Sequence, residues 1–434
     1  MHENYDAIII GAGVIGAAIA YELSKKGCRT LSIDKLPAAG YGPTSNSCAI
    51  IRVHYSTLEG AVFAYEGYFY WKNWREYLGI EDESGMAVFH ETGCMVMKTE
   101  VNGYLERIRE VADRFHIPYE EWRPEEIIER LPIYDMQRFG PPKRPGDAGF
   151  CEPTGGGVEG AVFFPTAGYI SDPQLATHNL QRAAEARGAQ FLFNKRVVEI
   201  PRANGRVTGV VLDDGTRIDA PVVVNVAGPY SGPVNRMAGA DGDMNIRTRA
   251  LRQEVTHVPS PEGFNFETSG FVVSDSDIGV YCRPETGNHI LIGSEDPECD
   301  EREWVDPDSY DREFTEQWTT QAYRMAQRIP SLGIPSRMRG CVDLYDVSDD
   351  WIPIYDKSCV GGFYMAIGTS GNQFKNAPVA GAMMASLIEY CEGGGDHDQS
   401  PLAFPLRYVG GSIDVGFYSR RREINPNSSF SVIG

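Results

Sequence analysis

Residues 5–35 read YDAIIIGAGVIGAAIAYELSKKGCRTLSIDK. Ala7–Ile10 is a short, wholly apolar run, the pattern of a strand covered on both faces. Gly11-Ala12-Gly13-Val14-Ile15-Gly16 follows it and matches G-x-G-x-x-G. An Ala-rich helical run to about Lys25, a stop at Gly27 and the second strand RTLSID complete a β-α-β unit. In such a unit the first glycine makes the tight turn and the second lets the backbone approach a pyrophosphate. The third lets helix and strand pack closely. The helix N-terminus then presents free N–H groups to the phosphates. Asp34 ends the second strand, eighteen residues after Gly16, where a carboxylate accepts hydrogen bonds from ribose hydroxyls. The stretch predicts a dinucleotide-binding unit and leaves NAD and FAD undivided.

The chain has 434 residues, enough for two or three domains. Its net charge of −20 argues against nucleic acid and against anionic lipid as partners, because phosphate binding needs a basic face. An anionic substrate therefore needs a local cation to draw it in. The nine cysteines are scattered and never form C-x-x-C, which reads as reduced thiols and gives neither a disulfide framework nor a zinc site. The eight histidines show no ligand spacing, so no metal is expected. The first residues carry no cationic, apolar leader, and no run is long enough for a membrane span; the expected location is the cytoplasm.

Beyond residue 60, helical patterns alternate with aromatic clusters such as FAYEGYFYWKNW. Residues 138–165 are rich in Gly and Pro and read as a long surface loop or lid. VTGVVLDDGTRIDAPVVVNVAG predicts two strands across an Asp-Gly turn, then a fully apolar strand. Residues 250–295 carry short strands, and 308–328 look helical. GGFYMAIGTSGNQF is a last apolar strand running into a glycine turn, and VAGAMMASLI is the helix after it. Crossover strands at both ends and β-rich middle pieces predict an α/β chain, α+β overall. It has a Rossmann-like nucleotide-binding domain with an antiparallel-sheet substrate domain inserted. The expected division is 1–85, 165–235 and 336–400 for the first, 86–164 and 236–335 for the second, and a tail at 401–434.

Three further segments point to one family. VVVNVAGPYSG (222–232), IGTSGNQFKNAPVAGAMMASLI (367–388) and TSNSCAIIRVHYS (44–56) resemble the D-amino-acid oxidase superfamily, in its sarcosine oxidase and glycine oxidase branch. FFPTAGYISDPQLATHNLQRAAEARGA fits it too. The resemblance implies FAD as cofactor. It places Gly11, Gly13, Val14, Ile15, Gly16, Asp34, Lys35, Ser45, Asn46, Ser47, Val197, Ala227, Gly228, Gly371, Asn372, Gln373, Phe374 and Lys375 against it. It implies that Arg52 and Lys375 grip a substrate carboxylate, Arg52 as a bidentate fork, and that His54 and Tyr281 line the same pocket.

The implied reaction is oxidation of a small amino acid or N-methyl amino acid, by hydride transfer from the α or N-methyl carbon to the flavin. The imine formed then hydrolyses. A 2-hydroxy-acid dehydrogenase and the flavin subunit of a heteromeric amine oxidoreductase are the alternatives. Oxygen or another acceptor takes the electrons, and a homo-oligomer is compatible with the pattern. Sarcosine oxidases tether flavin through a cysteine in a stretch like GCVDLYDVSDDWIPI. Matching that stretch puts Val342 at the tether and Cys341 on the opposite strand face, so FAD is expected to be non-covalent. HILIG puts Leu291 where those oxidases use a lysine to activate oxygen.

Overall fold

The computed structural model describes residues 5–103 and 105–433. Along the chain, β1 is Ala7–Ile10, α1 Val14–Lys25, β2 Thr30–Ile33 and α2 Leu58–Lys72. Next come β3 Cys94–Met97, β4 Glu120–Trp122, β5 Ala161–Phe164, α3 Pro173–Glu185 and β6 Gln190–Leu192. Then follow β7 Val222–Asn225, β8 Thr248–Pro259, β9 Val272–Asp275, β10 Val280–Glu285, β11 His289–Ser294 and β12 Trp304–Val305. The last are α4 Glu316–Arg328, β13 Gly340–Ser348, β14 Ile354–Lys357, β15 Phe363–Ile367 and α5 Ala377–Glu392.

Two sheets carry the architecture, which is mixed α/β. One has six strands in the order β14-β15-β7-β1-β2-β6, parallel except for the β14–β15 pair. Its central strands are wholly apolar or nearly so because helices cover the sheet. On one face α1 packs against both α3 and α5. The α1–α5 approach is backbone-close: a Cβ at Gly381 would lie 2.7 Å from the Ala18 carbonyl carbon. That contact brings the turn before α5 to the same end of the sheet as the glycine turn before α1.

The second sheet runs β12-β8-β11-β10-β9-β3-β5-β4, with β13 also on β8. It is antiparallel except where β9 runs parallel to β3, so the expectation of an antiparallel sheet holds for all pairs but one. β13, expected to belong with the nucleotide-binding strands, pairs along its whole length with β8, from Thr248↔Ser348 to Thr256↔Gly340. Its nine residues give it a full ladder on a long partner.

Other expectations are adjusted. The helix expected from 308 starts at 316, where Thr315 caps it and Glu254 accepts hydrogen bonds from the Thr315 and Trp318 N–H groups. The Gly/Pro-rich stretch ends in a strand at 161. Its backbone at Phe139 and Gly140 is tied to the Asp277 carboxylate, itself paired with Arg328. The tail packs back onto the body: Phe404, Leu406, Ile413 and Val415 join the main core, and Arg420 is ringed by Asp243, Asp356 and Asp398. Among the described residues no helix is long and apolar enough to cross a membrane.

Candidate functional site

A cavity of about 550 Å³ is lined from both sheets and runs from the glycine turn to Arg52 and Lys375. At the glycine end Gly11 has φ +112°, and a Cβ there would lie 2.3 Å from the Val226 oxygen, so the turn demands glycine. Gly13 precedes α1 without capping it, and α1 has no acidic residue in its first turn. A Cβ on Gly13 would enter the space before the helix, its nearest neighbour being Thr44 Oγ1 at 3.2 Å. Asp34 accepts from the Ala12 N–H at 2.8 Å and from the Leu36 N–H at 2.9 Å, and lines the cavity beside Lys35. Burial holds its carboxyl above the usual range despite those donors. Lys35 lies 3.3 Å from the centre of the Tyr230 ring.

Val14, Ile15, Gly16, Asn46, Ser47, Val197, Ala227 and Gly228 also line the cavity. Ser45 does not. It turns its hydroxyl to the Gly42 carbonyl at 2.9 Å, and Thr44 takes the place in the lining that the sequence suggested for it.

At the far end the turn 371–375 folds over the cavity. Gly371 has φ +69° and Phe374 stacks on Trp71 at 5.3 Å. Lys375 Nζ donates to Tyr55 Oη at 2.8 Å and to the Asn372 carbonyl. Gln373 Oε1 accepts from Asn376 at 2.8 Å. Arg52 follows the short strand Ile50–Ile51 and stands 4.3 Å from the Tyr55 ring centre. Its Nη1 donates to the His54 carbonyl, and its Nη2 to the Val432 carbonyl at 2.9 Å and to the Ile433 carbonyl.

Neither Arg52 nor Lys375 has an ion-pair partner among the described residues, although they are only 8% and 3% exposed. The other fully buried arginines, Arg252, Arg283, Arg324, Arg328 and Arg420, each pair with an Asp or Glu. Burial, and then the Arg52 charge, push the Lys375 amine well below the ordinary lysine range. His54 is buried against Phe164, with ring centres 5.4 Å apart, and neither ring nitrogen has a hydrogen-bond partner among the described residues. Burial and the two cations keep it neutral. Tyr281 Oη lies 3.6 Å from Cys48 Sγ, and burial pushes its phenol well above the ordinary range.

A β-α-β glycine turn opening into a cavity between a parallel sheet and a mixed one defines a dinucleotide-binding oxidoreductase fold. The chain belongs to the FAD dependent oxidoreductase (DAO) family, whose profile matches residues 6–387, and its cofactor is FAD. It is 24% identical over 400 residues to glycine oxidase of Geobacillus kaustophilus, covering 90% of this chain and 94% of that one. It is 24% identical over 393 residues to the sarcosine oxidase subunit beta of Rhodobacter capsulatus, covering 89% and 85%. The fold is that of L-proline dehydrogenase from P. horikoshii, with TM-score 0.75, 22% identity and 97% and 98% of the two chains covered.

The residues present fit FAD: a glycine turn, a helix start whose first N–H meets only the Thr44 hydroxyl at 3.3 Å and which carries no acidic residue in its first turn, and a carboxylate at the end of β2 line one cavity. One expectation is reversed. Cys341, not Val342, lines the cavity, its sulfur 3.5 Å from the Asn46 carbonyl, because the β8–β13 register turns that side chain inward. Burial pushes its thiol up to about 12. None of residues 138–165 lines the cavity.

Three features escaped the sequence reading. Ser274 and Glu295 line the cavity, and Val432 and Ile433 from the tail touch Arg52. Glu295 sits in the acidic run SEDPE, which reads locally as a solvated loop. The apolar SVI after the polar NPNSS was the one available signal for the tail.

Proposed function

We propose that this chain oxidises a small amino acid or N-methyl amino acid carrying a free carboxylate. The carrying observation is the pair of buried cations without carboxylate partners. Burying unpaired charge is costly, and an anion supplied by the substrate offsets that cost. Arg52 and Lys375 receive the carboxylate, with Tyr55 and the Asn372 carbonyl holding the lysine in place. His54, neutral, and Tyr281, a phenol that stays protonated, shape the pocket without adding charge.

The turn Gly11–Gly16 and the α1 N-terminus hold the pyrophosphate of FAD, and Asp34 and Lys35 its ribose side. Asn46, Ser47, Val197, Ala227, Gly228 and residues 371–375 hold the rest. Bound FAD supplies the acceptor for a hydride from the α or N-methyl carbon, and the imine then hydrolyses in water. The chain's own part is to orient the substrate by its carboxylate and to exclude water from the reacting carbon. FAD is held without a covalent link: Cys341 lines the cavity, but burial raises its thiol and so disfavours the thiolate a tether needs.

The test is anaerobic mixing of FAD-loaded protein with sarcosine, N,N-dimethylglycine, glycine, L-proline, D- and L-amino acids and 2-hydroxy acids, one at a time. Bleaching of the visible flavin band by an amine is expected. Bleaching by 2-hydroxy acids alone overturns the amine reading. A bound flavin that no member bleaches assigns the chemistry to an assembly with a partner subunit.

A further inference from the structure

Two side chains on the cavity face of the mixed sheet, Ser274 and Glu295, have no part in the reading above. Ser274 on β9 pairs across to Tyr281 on β10, and Tyr281 pairs across to Gly293 on β11. Glu295 follows two residues after Gly293 and lines the same cavity as Ser274 and Tyr281. It is 5% exposed, and its backbone N–H is tied to the Gly279 carbonyl at 3.1 Å. Its Oε1 accepts the Ser274 hydroxyl at 2.5 Å. Its Oε2 is buried and has no hydrogen-bond partner among the described residues. The carboxyl is thus fixed by one oxygen, and the other is unmatched in the cavity that holds two unmatched cations. A buried carboxyl so placed costs stability unless a ligand completes it.

An α-amino acid gripped by its carboxylate carries its nitrogen two bonds from that carboxylate. Its resting form is an ammonium, and hydride departure needs the nitrogen lone pair. We propose that Glu295 Oε2 receives the substrate's nitrogen and takes the proton of its ammonium form, with Ser274 as the positioning residue. The step balances: the N–H bond breaks, an O–H bond forms on Oε2, and the electron pair stays on nitrogen. No oxidant is consumed. The inference rests on the amine-oxidation reading above.

The groups facing Glu295 are Arg52 beyond the strand Ile50–Ile51, Asp275 on β9, Cys94 on β3, Cys282 on β10 and its chain neighbour Asp296. Burial, assisted by the Asp275 charge and opposed by the Ser274 hydroxyl, Arg52 and the Asp275 backbone N–H, brings the carboxyl up to about 8. Burial pushes the two thiols up to about 12, so they stay neutral. The proton-accepting carboxylate form of Glu295 therefore grows as pH rises through about 8.

The test uses FAD-loaded protein, with sarcosine and L-proline as probes and the anaerobic bleaching rate followed from pH 6 to 10.5. In the unchanged protein kcat/KM should rise through an inflection near 8. In Glu295→Gln the inflection should move up to the ammonium pKa of each probe, because only the neutral amine is then captured. The rate at pH 7 should fall about 100-fold and recover to within about threefold at pH 10.5. Acetate, which has no amine, should perturb the flavin band equally in both proteins.

Ser274→Ala removes a donor to the carboxylate, so it should move the inflection upward from 8 without abolishing it. An unshifted profile in Glu295→Gln overturns the proposal, as does an equal loss at every pH. If that variant does not hold FAD, an unshifted Ser274→Ala profile overturns it instead. Bleaching by 2-hydroxy acids alone overturns the amine reading and this inference with it, whereas amine bleaching with unshifted variants removes Glu295 alone.

Discussion

Arg52 and Arg420 are the same side chain in nearly the same degree of burial, yet their surroundings differ in kind. Arg420 in the tail meets the carboxylates of Asp243, Asp356 and Asp398, all within 3.0 Å. Arg52 in the cavity donates its hydrogen bonds to backbone carbonyls and stands over the Tyr55 ring, with no carboxylate in ion-pair reach among the described residues. The first arrangement has its charge balanced within the chain and holds the tail to the body. The second leaves a buried guanidinium without an ion-pair partner among the described residues, with Lys375 beside it, in a protein of charge −20. A buried cation without a counter-charge is what a structural site avoids and an anion-binding site requires.

Arg420→Ala should break the balanced side of the comparison. It strips Arg420 from Asp243, Asp356 and Asp398, of which Asp398 retains Lys357, and should cost about 3–5 kcal/mol in urea unfolding at pH 7, with KM for the amine unchanged in the protein that remains folded. Arg52→Ala should raise KM for a carboxylate substrate about 100-fold, roughly 2–3 kcal/mol, with FAD still bound and stability little changed. Unchanged kinetics would remove Arg52 from substrate binding.

Lys375→Met sharpens the contrast further. The folded pKa of Lys375 is depressed, so between that value and the unfolded lysine value of 10.5 the unfolded chain holds more protons at this position than the folded chain. Stability therefore rises with pH in that window, and at pH 7 the lysine is a cost. The variant should unfold at a higher temperature than the unchanged FAD-free protein at pH 7, with the gap closing towards pH 10.5, while substrate binding weakens.

Asp398 tests the opposite sign. Burial would raise its carboxyl, but Arg420 and Lys357 hold it down to about 2. Its stabilising share is therefore complete above the unfolded aspartate value of 3.8 and is lost as pH falls through about 2. The stability gap between the unchanged protein and Asp398→Asn should shrink over that acid range in urea titrations. The smallest effect concerns Cys341: acid denaturation should release FAD into the supernatant, and Cys341→Ala should leave the flavin content unchanged.

Much of the fold was readable because it is local. The apolar runs of β1, β7 and β15 and the helices after two glycine turns each announce themselves within about a dozen residues. What failed was register and pairing. HILIG and GCVDLYDVSDD show strands, but not that β13 lies on β8 or that Cys341 rather than Val342 faces inward. Ser45 was misplaced by one residue for the same reason: in a turn, no period says which side chain faces the cavity.

The sequence by itself determined the β-α-β unit with Asp34 at its end, and the presence of Arg52 and Lys375 in segments with a family pattern. Only the tertiary structure decided that these two cations share one cavity with no ion-pair partner among the described residues. It also decided that Ser274 and Glu295 face them, and that the Val432 and Ile433 carbonyls reach Arg52 across some 380 positions of chain. Hydrophobic periodicity is set by neighbours a few residues apart, whereas a buried charge is defined by what surrounds it in space. Those surroundings come from strands and tail segments whose positions follow from packing and from no short stretch of sequence.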